Sequence, residues 1–423
     1  MPSNPAFPQP SCADENEFGS LKFDDAVDQI MDTVKPIKGY ESVPLSKALD
    51  RSLHEAIVAP KNVPAHTNSA VDGYAVRSKD LPKPGSSAKF PVVGTVLAGA
   101  PASIQLEPND AVRIMTGAVI PEAADTVLMQ EHVELEENEI GVSDRHSAGD
   151  NIRKAGEDLS QGETVLRAGH LCTPADLGLI ASLGLGEIKV HRRARVAIFS
   201  TGTEVHPIGR RLQDGELYDS NRYTLRAALT RLGVEILDLG IITDDKSKLF
   251  DCFTQATASA DLVITTGGIS VGQADFTKEV VSELGDIRFW KVAIKPGRPM
   301  AFGAIDNTWF FGLPGNPVAV MVTYYQFVLP ALRKIMGITE WLPGTKLTAV
   351  CTESIRKRPG RTEFQRAILS PTEEGWRVRS TGRQGSGILK SMSLANAFII
   401  LPHDRGPVNP GDTVVVQPFS GLI

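Results

Sequence analysis

From Arg195 to Met336 short apolar runs alternate with amphipathic stretches, and that alternation constrains the fold more than any other feature of the chain. Arg195–Phe199 is a β-like run ending in Ser200-Thr201-Gly202. A helix from Ser220 then carries Leu225, Leu229 and Leu232 on one face. Val234–Ile242 reads as a strand, after which Asp244 or Asp245 can cap a helix bearing Leu249, Phe250 and Phe253. Asp261–Thr266 is a strand ending in Gly267-Gly268, and Asp275 can cap a helix with Val280, Val281 and Leu284. Arg288–Ile294, Met300–Phe302 and Trp309–Leu313 are further strands, and Gly315-Asn316-Pro317 opens a long helix. Such alternation predicts a doubly wound, mostly parallel sheet covered on both faces. Ligands of such sheets bind outside the carboxyl ends of the strands.

Other segments follow different periods. Residues 1–18, rich in Pro, Ser and Asn, read as disordered. Phe23, Ala26, Ile30 and Val34 mark a helix. Between Val63 and Ser143, the runs Phe90–Leu97, Ala111–Met115 and Thr126–Met129 alternate with Pro/Gly turns, as in a small all-β module. Thr173-Pro174-Ala175-Asp176 opens a helix. Beyond Leu342, a hairpin over Thr362–Ser380 and strands Phe398–Leu401 and Thr413–Val416 predict a small barrel or sandwich.

Composition narrows the function classes. A net charge of −6 over 423 residues leaves no uniformly basic nucleic-acid footprint and no polybasic membrane anchor. The longest apolar stretch, Val318 to Leu332, is broken by Thr323, Gln326 and Pro330; it falls short of the ~20 residues a membrane span needs and reads as a buried helix. Residues 1–20 carry Asp14, Glu15 and Glu17 and no apolar core, unlike a signal peptide. Cys12, Cys172, Cys252 and Cys351 form no C-x-x-C pair, and the eight histidines show no zinc spacing, which fits a reducing cytoplasm.

Five loops follow the predicted strands: Ser200–Glu204, Thr243–Asp245, Thr265–Gly272, Ile294–Pro299 and Leu313–Pro317. All should converge on one sheet edge. Their glycines offer unhindered N–H donors, and Asn316 as N-cap with Pro317 at the first helical position places a helix N-terminus there, attractive to phosphate. Lys295 and Arg298, separated by Pro296-Gly297, form a stiff cationic loop suited to an oxyanion. Lys291, four residues upstream on the same predicted strand, should share its face. Glu204, Asp244 and Asp275 at strand ends can hold Mg2+ with substrate phosphates, although helix capping explains Asp244 and Asp275 equally well. Gly268-Ile269-Ser270-Val271-Gly272 also matches the G-x-S-x-G elbow of serine hydrolases, with His403 as the available base. A hydrolase is therefore one alternative, and a non-catalytic ligand-binding scaffold another.

Seven motifs resemble those of the molybdopterin molybdenumtransferase family (the MoeA type, which includes the E domain of gephyrin). They are Asn68–Ala75, Ile114–Ala118, Ala155–Asp158, Tyr218–Arg222, Gly267–Gly272 with Ala274-Asp275, Ile294–Gly297 and Leu313–Pro317. The resemblance runs from about residue 20 to the end. It implies an elongated α+β first domain (19–62 and 147–190), an all-β insertion domain (63–146), a molybdopterin-binding α/β domain (191–338) and a C-terminal β-barrel (339–423). The implied reaction inserts molybdate into adenylylated molybdopterin with Mg2+-dependent release of AMP. It implies a cytoplasmic homodimer, with Asp72, Thr116 and Asp158 approaching the cleft from the partner. Glu204, Asp244, Asp275, Lys291, Lys295, Pro314 and Pro317 would line the α/β side. Ser220 and Asn221, with Gly267, Gly268, Ser270, Arg298, Gly315 and Asn316, would hold the substrate. Arg366 and Ser386, with Lys295 and Arg298, match the molybdate positions. The molybdopterin adenylyltransferase and molybdoenzyme chaperones are implied as partners. Three positions depart from the family pattern: Thr67 and Thr203, each where Asp is usual, and Arg298 where Lys is usual.

Overall fold

The structure is a computed structural model that describes residues 20–101, 103–268, 276–339 and 344–419, with backbone only at 287–290. The expected disorder of 1–18, Ser270 and Asp275 fall outside these residues. Two compact units emerge: Met1–Glu41 with Val190–Ile423, and Ser42–Lys189.

In the first unit the alternating pattern becomes a six-stranded sheet. Its strands are β1 (Arg195–Thr201), β2 (Glu235–Ile242), β3 (Leu262–Thr266), β4 (Asp286–Lys291), β6 (Pro299–Ile305) and β7 (Thr308–Leu313). The order is β2-β1-β3-β7-β6-β4. The first four run parallel, with Val196 beside both Ile236 and Leu262, and Leu262 beside Trp309; β6 and β4 add an antiparallel edge. The two-residue period of the strands divides the core in two. Val196, Ile198, Leu262, Ile264 and Phe311 bury against α1 (Phe23–Thr33) and α2 (Asn221–Leu232). Ala197, Phe199, Val263 and Phe310 bury on the other face against α3 (Lys246–Ser259) and α4 (Phe276–Leu284). There Phe253 meets Phe199 and Phe310 edge to face, with ring centroids 5.2 and 5.5 Å away. Such pairs add about 0.5–1.5 kcal/mol beyond area burial.

One expected strand is in fact two. After β4 the chain leaves the sheet, and β5 (Ile294–Lys295) pairs instead with Thr362-Glu363. The crossing is held by the Val292 amide on the Arg298 carbonyl (3.0 Å) and the Ala293 amide on the Leu21 carbonyl (2.7 Å). Lys291 and Lys295 therefore end different sheets and share no strand face, contrary to the spacing argument. Beyond it, β8 (Leu347–Cys351), β9 (Thr362–Thr372), β10 (Gly375–Ser380), β11 (Ala397–Leu401) and β12 (Thr413–Pro418) close into a barrel in the order β9-β10-β8-β12-β11, sealed by β9 pairing with β11. The stretch Val318–Leu332 is a buried helix with a π turn at Tyr324–Val328; no described helix is long and apolar enough to cross a membrane.

The second unit holds a six-stranded sheet in the order 126–129, 73–76, 111–114, 87–96, 139–143, 134–136. Gly73 is obligatory there, because a Cβ would lie 2.0 Å from the Leu128 carbonyl oxygen. Helix Pro174–Ser182 opens as expected, with a reciprocal capping box between Thr173 and Asp176 and Pro174 at its start. A cap of this kind contributes about 1 kcal/mol.

Candidate functional site

The loops after β1, β3 and β7 meet at the carboxyl edge of the sheet and enclose a crevice of about 580 Å3. Ser200, Thr201 and Glu204 come from the first loop, Thr266, Gly267 and Gly268 from the second, and Pro314, Gly315, Asn316 and Pro317 from the third. Ser220 and Asn221 at the start of α2, Pro299, Gly387, Val205 and the 217–219 stretch complete the wall. Glycine is required at its floor. Gly267 has φ +82°, and a Cβ there would stand 2.3 Å from the Thr201 carbonyl oxygen. Gly268, at φ +63°, is equally confined by the hydroxyls of Thr277 and Thr201.

Several polar atoms at this edge are buried without a partner among the described residues: Thr201 Oγ1, Thr277 Oγ1 and Asn221 Oδ1. Buried polar groups of folded proteins are nearly always satisfied, so unsatisfied ones call for an explanation such as a ligand. Asn221 is nevertheless fixed, since its Nδ2 donates to the Gly315 carbonyl at 2.7 Å. Asn316 occupies the N-cap position before Pro317, but its side chain makes no capping bond. The Val318 amide is satisfied instead by the Ser386 carbonyl at 3.0 Å. The expected side-chain cap is thus replaced by a loop of the barrel, and Asn316 faces the crevice.

Glu204 and Asp244 are electrostatic neighbours. Desolvation and then the Glu204 charge raise the Asp244 carboxyl above its ordinary range, against a hydrogen bond from the Thr203 backbone. Two such carboxylates fit Mg2+, which typically takes one or two carboxylates plus phosphate oxygens and water. Among the described residues no group of three or more His, Cys, Asp or Glu gathers for an all-protein metal site. The sign of the shift yields a prediction. A raised carboxyl takes up its proton more readily folded than unfolded, so its ionised form opposes folding above that pKa and protonation relieves this. Asp244→Asn should therefore stabilise the metal-free protein slightly at pH 7–8, by less than about 1 kcal/mol after solvent screening. The gain should shrink as pH falls through the Asp244 pKa. Denaturant midpoints against pH check this; a loss of stability at pH 8 would count against it.

Arg366 and Ser386 are not among the crevice-lining residues, although Gly387, next in the chain after Ser386, is. Arg366 is 1% exposed. Its Nε donates to Ser391 Oγ and its Nη2 to the Gly385 carbonyl, both at 3.0 Å. No carboxylate pairs with it among the described residues, and burial pushes its guanidinium down to about 10. It remains charged at neutral pH, and an unpaired buried charge is costly unless an anion arrives. Gln384 bonds both the Arg366 amide and its carbonyl, so the 384–387 loop is anchored where it meets Val318 and the crevice.

Lys291, Lys295 and Arg298 are not among the crevice-lining residues. Lys295 is 50% exposed, and its ammonium lies 3.3 Å from Glu363 Oε1, whose side chain is 6% exposed. Gln365 Nε2 donates to the other Glu363 oxygen at 3.0 Å. The reading of the sequence missed Glu363. The strand that carries it mixes polar and apolar residues, with Thr362, Gln365 and Arg366 beside Phe364 and Ala367, so no local pattern singles Glu363 out. In the other unit, Asp72 Oδ1 accepts from both the amide and the hydroxyl of Thr116 at 2.7 Å each, which holds the Asp72 carboxyl below its usual range. Asp158 is exposed, its amide donating to the Val63 carbonyl. Thr67 has a structural task, its hydroxyl accepting from the Ala155 amide at 3.2 Å.

Fold and crevice together define an α/β ligand-binding domain joined to a β-barrel. Family models describe the rest: the MoeA N-terminal region (domain I and II) matches residues 21–184, a probable molybdopterin binding domain matches 197–334, and the MoeA C-terminal region (domain IV) matches 348–419. The chain is 44% identical over 385 residues to the molybdopterin molybdenumtransferase of Haemophilus influenzae, covering 90% of this chain and 95% of that one. It is 36% identical over 388 residues to that of Bacillus subtilis, covering 89% of each. A crystal structure of the molybdopterin biosynthesis MoeA protein of Pyrococcus horikoshii superposes with a TM-score of 0.82 at 29% identity, covering 94% of this chain and all of that one. The chain belongs to the molybdopterin molybdenumtransferase family and is an enzyme. Neither the serine hydrolase nor the scaffold alternative finds support in these likenesses.

Proposed function

We propose that this chain inserts molybdate into adenylylated molybdopterin and releases AMP. The observation that carries the reading is the pairing of a glycine-floored crevice with a buried guanidinium, Arg366, that has no counter-charge among the described residues. The first suits a phosphate-bearing ligand and the second a nearby oxyanion.

In this reading the amides of Gly268, Gly315 and Asn316 and the side chains of Ser220 and Asn221 grip the pyrophosphate. Glu204 and Asp244 would hold Mg2+, which when bound supplies positive charge at the scissile phosphates; Asp275 is a further candidate for that set. Lys295 and Arg298, with Arg366 and Ser386, stabilise molybdate and the charge that develops on transfer. Lys291 supports the same field. Because Ser270 acts only as a loop hydroxyl, no covalent intermediate is invoked. Asp72, Thr116 and Asp158 serve the same reaction, and the protein works as a cytoplasmic homodimer. It receives substrate from the molybdopterin adenylyltransferase and passes product to molybdoenzyme chaperones.

The test is incubation with adenylylated molybdopterin, Mg2+ and molybdate. AMP release that depends on molybdate is the expected result; release that is absent, or indifferent to molybdate, ends the proposal.

A further inference from the structure

The crevice wall is mostly polar or small, apart from one stretch. Leu217 and Tyr218 line it while remaining 48% and 43% exposed. Tyr218 is the one aromatic among the described lining residues. Both belong to a two-stranded ribbon in which Val205-His206 pairs with Leu217-Tyr218. The ribbon joins the Glu204 loop to the Asp219–Asn221 turn, so the ring stands directly beside the groups assigned above to phosphate and metal.

The ribbon is braced. The Leu217 amide donates to the Glu204 carbonyl and the Asp219 amide to the His206 carbonyl, each at 2.9 Å. Tyr218 Oη donates to the Arg210 carbonyl at 2.6 Å. Arg210 Nη2 in turn reaches Glu216 Oε1 at 2.5 Å, and Glu216 Oε2 accepts from the Gln213 amide at 2.8 Å. The phenol hydrogen bond satisfies the polar end of the ring and fixes its direction, leaving an apolar face open. Freedom that a mobile side chain would lose on binding is thus already gone.

We infer that Tyr218 is a stacking platform for a flat heterocycle carried by the phosphate-bearing ligand. The inference rests on the reading proposed above and deepens it. The substrate named there has two such rings, adenine and pterin, and the platform fits their shared chemistry: a planar π-face a few bonds from a phosphate.

Three probes test it: AMP, a 6-substituted pterin monophosphate, and ribose 5-phosphate, which has a phosphate and no ring. Aromatic stacking on a base typically changes affinity roughly 5- to 100-fold. Tyr218→Ala should weaken AMP or the pterin phosphate by that factor and leave ribose 5-phosphate within twofold. Whichever ring-bearing probe weakens identifies the ring that stacks. Tyr218→Phe should retain most of the affinity, since it keeps the face and loses only the bond to Arg210. The inference is overturned if Tyr218→Ala weakens neither ring-bearing probe. It is equally overturned if the wild-type protein binds neither more tightly than ribose 5-phosphate. Failure of the underlying reading looks different: the wild-type protein would then show no molybdate-dependent AMP release, whatever its affinity for the probes.

Discussion

Gly267→Ala is expected to abolish turnover and to destabilise the first unit. The substitution meets two separate obstacles. Its backbone must keep φ near +82°, a region that costs a non-glycine residue about 1–2 kcal/mol. Its Cβ must also find room 2.3 Å from the Thr201 carbonyl oxygen, part of the buried strand β1, which cannot swing aside as a flexible side chain would. The loop must therefore move, taking with it the amides that face the crevice. A loss of at least about 2 kcal/mol in denaturant unfolding is expected, with AMP release falling 100-fold or more. Gly85→Ala is the control for backbone strain alone: φ is +80° there, yet nothing lies within 4 Å of the added carbon. Equal losses at the two positions would show that close approach to Thr201 is irrelevant.

Lys295→Ala should reduce molybdate-dependent AMP release about 100-fold, the size of effect seen when one preorganised electrostatic contact is removed from an active site. The ammonium is held at the barrel edge by Glu363, itself fixed by Gln365, yet remains half exposed. Lys89→Ala should leave the rate within twofold, because Lys89 pairs with Glu136 on the exposed surface of the other unit. The comparison is made under saturating Mg2+ with molybdate varied. Similar losses in the two variants would remove Lys295 from the reaction.

Much of the architecture was legible because it is written in local periods. The two-residue alternation of Val196 to Phe199 and of Leu262 to Ile264 separates the two cores directly. Asp245 caps its helix, one of the two residues the pattern offered. The hairpin over Thr362–Ser380 forms as read, turning between Thr372 and Gly375. What escaped was non-local. Whether the chain after Lys291 continues its strand depends on Leu21 and Thr362, far away in sequence, and their pairing carried Lys295 into the other sheet. Glu363 escaped because a buried carboxylate runs against hydrophobic patterning, and only the approach of Lys295 and Gln365 makes it tolerable there. The missing cap at Asn316 has the same origin, because the Val318 amide is met by Ser386 from the barrel. At the site, residue types could be read from motifs, but distances between loops could not.

The proposed function requires backbone amides of separate loops to grip one ligand phosphate, and a crystal structure of the chain with AMP and Mg2+ tests this directly. The phosphate should lie within about 3.2 Å of the Gly268 amide nitrogen and of the amide nitrogen of Gly315 or Asn316. A phosphate bound elsewhere, or one contacting neither loop, would contradict it.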